Sequence, residues 1–262
     1  MRKIGIILSL LLCTMAGLAQ NDVKVRFGGQ LGFNMSKWSG DYESLYGTKF
    51  RVGGNAGVLA EVQVTQKWSR QPELMISMEG TKTDGGTLAF CENSVSGLNP
   101  IYVKLPDDIS AWYIKVPIWV MYSFNVGPGR LSPGLGVYVA WAFTGKAGDN
   151  DVTTFSDNSF YRTVYDELQE RYSNSPQDFS QQDVDNMQAW YNSIPRRFDY
   201  GVGVKCCYEL ETGVPGLFGS LNVTEGLNGS YNLNLGFSVG YKFKYCKWLR
   251  TRYNTGLLEY NP

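Results

Sequence analysis

Hydrophobic and polar residues alternate with a period of two along most of the chain after residue 22. In the segment 198–210, for example, an apolar face alternates with Asp199, Lys205 and Glu209. Because successive side chains of a β-strand point to opposite faces, this period predicts strands with one apolar and one polar face. Eight such strands are predicted, at residues 23–33, 52–65, 68–79, 112–124, 131–143, 198–210, 217–224 and 231–243.

The length of these strands and the placement of their aromatic residues indicate a membrane barrel. A strand of about 12 residues, tilted by about 45°, stands about 28 Å tall, which matches the hydrocarbon core of a bilayer. Aromatic residues of the apolar face lie mostly at strand ends: Trp68, Trp112, Tyr122, Phe124, Trp141, Phe143, Phe198, Tyr200, Tyr208, Tyr231 and Tyr241. Two aromatic girdles around an aliphatic band are typical of a lipid-facing barrel wall, whereas the alternative, a soluble β-fold, gives no reason for them.

The connections between the predicted strands alternate in length. Those at 66–67, 125–130 and 211–216 are short, whereas those at 34–51, 80–111 and 144–197 are long, and the last, 225–230, is a short exception. Bacterial outer-membrane barrels have short periplasmic turns and long extracellular loops. The sequence therefore predicts an all-β fold, an eight-stranded antiparallel transmembrane β-barrel over residues 20–243. Its place would be the outer membrane of a Gram-negative bacterium, in contact with lipid, with both termini in the periplasm.

The first 19 residues have the pattern of a secretory signal peptide. Arg2 and Lys3 precede an apolar run over residues 4–12, which is too short to span a bilayer as a helix. Gly17 and Ala19 are the small residues expected before a cleavage site at Gln20. We therefore expect export of a mature chain that begins at residue 20.

The inward faces of the predicted strands carry five basic and five acidic residues, namely Lys24, Arg26, Lys115, Lys205, Lys242, Glu61, Glu73, Glu79, Asp199 and Glu209. An eight-stranded barrel has an interior just wide enough for side chains. Because an unpaired buried charge is costly, we expect a paired network that includes Arg26, Glu61, Glu73, Lys205, Glu209 and Lys242. Such a network would hold the barrel together and plug it; the alternative is a path for ions or protons, and hence a small channel.

Composition narrows the function classes. The chain has 24 basic and 24 acidic residues, and this balance argues against nucleic acid as a partner. It has no histidine, which excludes Ser-His-Asp hydrolysis and His-ligated zinc. No nucleophile and base stand at a meaningful spacing, so we expect a non-enzymatic protein without a cofactor. A hydrolase or protease without histidine is the alternative.

The segment 149–194 interrupts the strand pattern with a helical one. Phe160, Val164, Leu168 and Tyr172 recur at helical spacing. Ser180 and Asp183 resemble a capping box that opens a second helix, with Val184, Met187 and Tyr191 on one face. We therefore expect a small helical insertion in the third extracellular loop.

This insertion is the leading candidate for partner binding. Tyr161, Tyr165, Trp190 and Tyr191 would be its anchors for an extracellular protein or glycan, because aromatic residues dominate binding hot spots. The alternative is that these aromatics pack the insertion onto itself or onto the barrel rim. The acidic segment 148–151 could bind calcium, but it lacks the ligand spacing of an EF-hand, so we expect no metal site.

Several segments resemble the PorT-like outer-membrane β-barrel family of Bacteroidetes. They are FGGQLGFN at 27–34, GVLAEV at 57–62, QPELM at 71–75, YIKVPI at 113–118 and LGFSVGYKF at 235–243. The resemblance covers residues 20–243 and implies a β-barrel in the outer membrane without catalytic residues. It also accounts for the prolines at 72 and 117 within strands. One founding member of the family acts in secretion and gliding machinery.

Residues 244–262 depart from the family pattern, since such barrels normally end at the terminal aromatic of the last strand. The tail is basic, with Lys244, Lys247, Arg250 and Arg252, and its predicted location is the periplasm. It is either a solvated tail or a contact for a periplasmic protein or for lipid head groups. The alternative function is therefore a component of secretion or envelope assembly that acts through the periplasmic side, and the small channel is a second alternative.

Overall fold

A closed antiparallel barrel forms the body of the protein. The computed structural model describes residues 24–39, 47–90, 99–105, 107–147, 159–193, 197–228, 232–244 and 246–247. Eight long strands follow one another around the barrel: β1 Lys24–Trp38, β2 Thr48–Gln63, β3 Trp68–Thr83, β6 Asp108–Tyr122, β8 Gly129–Ala147, β9 Phe198–Leu210, β10 Leu217–Gly226 and β11 Asn232–Lys242. The pairing of β11 with β1, from Gly28↔Lys242 to Trp38↔Asn232, closes the sheet. The predicted eight-stranded antiparallel barrel is confirmed.

Two ends of the barrel differ in their connections. Short turns follow β2, β6 and β9, whereas long segments follow β1, β3 and β8, and the short link 227–231 after β10 lies with these. We call the first the turn end and the second the loop end. Both the start of β1 and the end of β11 lie at the turn end. The predicted signal peptide, and the tail apart from Lys244, Cys246 and Lys247, lie outside the described residues.

Several strands extend further toward the loop end than the alternation of apolar residues predicts. β1 continues to Trp38, β3 to Thr83 and β8 to Ala147, while β6 already begins at Asp108. At this end the outward side chains include Lys82, so the apolar half of the pattern fades although the backbone pairing continues. The alternation of apolar and polar residues therefore marks the part of a strand that faces lipid, whereas the backbone hydrogen bonds between strands continue beyond that part.

Four short strands supplement the barrel. β4 Gly86–Phe90 and β5 Ile101–Leu105 pair as a hairpin within the segment that we expected to be only a long loop. β7 Phe124–Val126 folds back on the start of β8. β12 Cys246–Lys247 pairs with Lys24 and Val25, so the tail begins as an added strand on the turn end.

The barrel has its apolar side chains outside and its polar side chains inside. On β1, Leu31 is 70% exposed while its neighbours Gln30, Asn34 and Ser36 are buried, and on β8, Leu135 is 68% exposed. Such a wall would be a large apolar patch on a soluble protein, whereas in a bilayer it faces hydrocarbon. The predicted orientation of the two faces is therefore confirmed.

Aromatic side chains mark both ends of the apolar band. At the turn end, the rings of Trp68 and Tyr122 meet edge to face at 5.0 Å, and those of Tyr241 and Phe243 lie 5.6 Å apart. At the loop end, Phe198 and Tyr200 lie with ring centroids 6.2 Å apart. Aromatic rings of this kind favour the interface between hydrocarbon and head groups.

Two helices follow β8 at the loop end. α1 spans Ser159–Asn174 and α2 spans Gln181–Ser193, with a short 3-10 turn at Pro176–Asp178 between them. The predicted capping box is present, because the Ser180 hydroxyl accepts a hydrogen bond from the Asp183 N–H at 3.1 Å and the Asp183 carboxylate accepts one from the Ser180 N–H at 2.9 Å. Within the described part of the chain, no helix is long and apolar enough to cross a membrane.

A test of the closed barrel is its resistance to detergent. Every strand of a closed barrel has partners on both sides, so SDS without heating should leave it folded. We expect the full chain to run at different apparent masses in SDS gels before and after boiling. Identical migration of boiled and unboiled samples would contradict a stable closed barrel.

Candidate functional site

The interior of the barrel at the turn end contains a cluster of five charged side chains. Arg26 donates to Glu209 through both terminal guanidinium nitrogens, Nη1 and Nη2, and to the Glu61 carboxylate at 2.8 Å. Lys242 donates to the same Glu61 oxygen at 2.6 Å, and Arg130 donates to Glu61 and Glu209 at 3.1 Å each. We call these five residues the turn-end cluster. Arg26 and Glu209 come from strands three steps apart in the sheet, so their contact crosses the lumen.

A second charged group lies further along the lumen. Lys205 on β9 forms an ion pair with Glu73 on β3, and both side chains are buried. The Glu73 carboxylate also accepts hydrogen bonds from Gln71 at 2.6 Å and from Gln30 at 2.9 Å. This arrangement gives the carboxylate the donors that a buried charge requires.

A third polar group lies nearest the loop end. Lys115 donates to Glu79 at 3.2 Å and to the Thr224 hydroxyl at 3.1 Å, and Asn232 donates to Glu79 at 2.5 Å. The Lys115 ammonium also lies 4.0 Å from the centre of the Tyr138 ring. Polar bridges therefore cross the lumen at three levels.

The six residues of the predicted network are all buried, but they form two separate groups. Arg26, Glu61, Glu209 and Lys242 belong to the turn-end cluster, and Glu73 pairs with Lys205. Lys115, Glu79 and Asp199 also lie inside as expected, with Asp199 accepting a hydrogen bond from Tyr138 at 2.8 Å.

One inward residue was predicted wrongly and one was missed. Lys24 is exposed at the rim, because β1 has barely entered the wall at its first residue. Arg130 takes its place as the fifth interior base. Arg130 is the last residue of the predicted connection 125–130, directly before the strand predicted to begin at residue 131. Its even spacing from the inward-facing Ser132 was the signal that could have identified it.

Apolar side chains fill the lumen between the charged groups. The Lys205 ammonium lies 5.7 Å from the centre of the Trp119 ring, and the Lys242 ammonium lies 5.1 Å from the centre of the Phe218 ring. A cavity between Gln30 and Lys115 has a volume of only about 40 Å³, which is room for one or two water molecules. This packing favours a stabilising role for the charges over the alternative of an ion path.

The helical insertion packs onto the barrel mouth through an apolar core. Inward-facing Trp38 at the end of β1 and Ile109 at the start of β6 contribute to this core from the barrel. Leu168 of α1, Met187 of α2 and Phe90 of the β4–β5 hairpin contribute from above, and all five are almost fully buried. We call α1, α2 and this hairpin the cap. The cap is therefore seated over the loop end of the lumen.

The four candidate partner residues have different outcomes. Tyr165 is half-buried against the cap core, donates to Gln188 on α2 at 3.3 Å and accepts from Gln169 at 3.1 Å. Tyr165 thus joins the two helices, as expected if this aromatic residue packs the insertion onto itself. Tyr161 lies in α1, and Trp190 and Tyr191 lie in α2, but their side chains are outside the described residues.

Metal binding receives no further support from the described ranges. No three cysteine, aspartate or glutamate side chains in them are grouped so that they could hold a metal ion. The acidic segment 148–151 lies outside the described residues.

The Lys205–Glu73 pair gives a test of the lumen. Lys205→Met leaves the Glu73 carboxylate buried without its cation, so we expect a loss of about 3–5 kcal/mol in the free energy of unfolding. Urea titration of the protein in detergent, followed by tryptophan fluorescence, measures this change. The double variant Lys205→Met/Glu73→Gln removes both charges and keeps an oxygen for Gln30 and Gln71, so it should recover most of the loss.

Planar-bilayer recording can contradict the stabilising role of the Lys205–Glu73 pair. If Lys205→Met raised the conductance of the purified barrel without lowering its stability, the stabilising role of the pair would be wrong. Wild-type protein should give a flat recording because its lumen is filled.

Comparison with known proteins agrees with this architecture. Residues 18–258 match the family model described as "Outer membrane protein beta-barrel domain". No curated protein matches the chain.

Among solved structures, the chain is similar to Neisserial surface protein A (NspA), with 12% identity, a TM-score of 0.39, and coverage of 83% of this chain and 97% of that one. It is also similar to Ail, the attachment invasion locus protein of Yersinia pestis, with 8% identity, a TM-score of 0.39 and coverage of 84% and 99%. The outer membrane protein OprG from Pseudomonas aeruginosa gives 13% identity, a TM-score of 0.37 and coverage of 84% and 95%. On the family match, which covers most of its length, the chain belongs to the outer membrane protein β-barrel domain family.

Proposed function

We propose that this outer-membrane barrel is a non-enzymatic scaffold that presents its cap to a partner outside the cell. The observation that carries the proposal is the shared apolar core of the cap and the barrel mouth, built on Trp38, Ile109, Leu168 and Met187. An insertion of this length with its own packed core is usually functional. The barrel then serves as a rigid support, and the partner binds to the surface of the cap.

The direction of the cap is part of the proposal. Long connections gather at the loop end and short turns at the turn end, and outer-membrane barrels direct long loops to the outside. In this orientation both chain termini face the periplasm. An extracellular protein or glycan would then meet the cap first.

The charge of the cap supports a partner with basic or hydrogen-bond-donating groups. Residues 159–193 hold six acidic residues and two basic ones. Asp166, Glu167, Glu170 and Asp185 are exposed, and the two bases, Arg162 and Arg171, pair with Asp166 and Glu167. An excess of exposed carboxylates raises the rate of encounter with positively charged surfaces.

The resemblance to PorT-like barrels supports a second candidate, a secretion or assembly component acting from the turn end. The pairing of β12 with the first residues of β1 favours this candidate, because the pairing holds the start of the tail against the barrel. In that case deletion of residues 244–262 would abolish function and leave insertion intact.

The cap proposal is tested by unfolding the cap alone. Leu168→Asp places a charge in the cap core, and we expect it to disorder the cap while the barrel still inserts and remains heat-modifiable. Crosslinking and pull-down from intact cells should then lose the partner, as they should for a variant lacking residues 149–194. Thr163→Asp adds the same charge at an exposed position of α1 and should keep the partner.

Opposite results separate the two candidates. Partners that persist on both the Leu168→Asp variant and the deletion variant would exclude the cap as the binding surface. If those partners are periplasmic and depend on residues 244–262, the function moves to the turn end.

A further inference from the structure

An apolar groove crosses the outer wall of the barrel near its turn end. It has a volume of about 610 Å³, which is within the usual size of a small-molecule site. Outward side chains of neighbouring strands form its sides, and the smaller Pro133 and Cys206 lie between them. Cys206 is an exposed free thiol, unlike its buried neighbour Cys207. The cap contributes no residue to this groove.

One hydrogen-bonded row of the sheet runs along the groove. Val120 pairs with Leu135, Leu135 with Val204, and Val204 with Val223. Arg70 on β3 continues the same row, because it pairs with Val120. At about 4.8 Å between strands, the row is roughly 19 Å long.

The row rises from the rim of the wall toward its middle. Arg70 is two residues from the turn-end terminus of β3 at Trp68. Val204 and Val223 are each six residues from the turn-end termini of β9 and β10. Because barrel strands are tilted from the membrane normal, a row perpendicular to them is also inclined, with one end nearer the membrane surface than the other. A chain-like ligand could therefore have one end at the interface and the other in the apolar band.

Arg70 is a cation on an otherwise apolar stretch of wall. Its side chain is exposed, and it makes no hydrogen bond or ion pair with any of the described residues. Other charged residues on the outward faces, such as Lys82 and Glu225, lie at the loop end. A guanidinium at this level is stabilised by a nearby anion, and its planar fork matches a phosphate.

Interfacial aromatics lie beside this cation. Trp68 and Tyr122 line the groove and are paired across β3 and β6, two residues closer to the rim than Arg70 and Val120. Such rings sit at the level of lipid head groups. Arg70 therefore lies at the level of the lipid head groups.

We propose that the groove is a binding site for one phospholipid of the leaflet at the turn end. The phosphate binds Arg70 beside Trp68, and one acyl chain follows the row from Val120 toward Val223. The ligand is a membrane phospholipid because a free phosphate would leave the apolar groove unfilled, and an uncharged lipid would leave Arg70 without an anion.

The test is native mass spectrometry of the full chain in detergent, titrated with palmitoyl-oleoyl phosphatidylglycerol. We expect one lipid adduct that survives at lipid concentrations where further adducts are lost. Cys206→Trp fills the groove and should weaken this adduct at least tenfold. The matched control Val202→Trp, outward on the same strand but outside the groove, should leave it unchanged.

The phosphate contact is tested separately. Arg70→Gln should weaken the adduct about fivefold, the usual effect of one basic residue at an anionic membrane surface, while Lys82→Gln at the other end of β3 should not. Dioleoylglycerol, which lacks the phosphate, should bind wild type and Arg70→Gln equally weakly. If it bound wild type as tightly as phosphatidylglycerol, the role of Arg70 would be wrong.

Heat modifiability monitors insertion of every variant, and Val223→Trp replaces Cys206→Trp if the latter does not insert. Adducts that are equal in wild type and the groove-filling variant would overturn the proposal. So would a dimer peak that the groove-filling variant removes, because the groove would then be an interface between two copies. Neither result would bear on the cap, which is tested by partner capture.

Discussion

Closure of the sheet by the pairing of β1 with β11 is the constraint on which the rest of the structure depends. In hydrocarbon no water can satisfy a backbone N–H or C=O group, so a sheet that crosses a membrane cannot have an open edge. Closure divides the side chains of every strand into an outer and an inner set. The outer set meets lipid and must be apolar, whereas the inner set lies in a lumen too narrow for bulk water. Polar residues therefore occupy the position that apolar ones hold in a soluble protein.

In the lumen, buried polar residues are stabilised by ion pairs, and aromatic rings pack between the charged groups. Glu61 and Glu209 each receive three cationic partners, and Glu73 receives one cation and two amides. Because these contacts cross the barrel, they tie opposite walls together as a core does in a soluble fold. Above them, Trp38 and Ile109 provide an apolar seat on which the cap packs. The interior thus connects the stability of the wall to the placement of the cap.

These features assign different tasks to the surfaces of one small barrel. The side chains in the lumen stabilise the barrel, the cap presents an acidic surface, and the outer wall contacts lipid. The wall is not uniform, because Arg70 and the groove beside it distinguish one stretch of the turn-end half from the rest. Proposed partner binding and proposed lipid binding use surfaces at opposite ends of the barrel.

Local alternation in the sequence predicted the eight strands, the inward and outward faces, both helices and the Ser180–Asp183 capping box, since each depends on residues close in the chain. It failed at Lys24 and Arg130, where a strand begins and the period has no neighbours on one side. Sequence alone also could not indicate that Arg26 meets Glu209, 183 residues away, or that Tyr165 ties the cap helices together. The same holds for the row from Arg70 to Val223. These contacts depend on closure and on the relative shift of the strands, which bring distant residues to one level, and only the tertiary structure decides that shift.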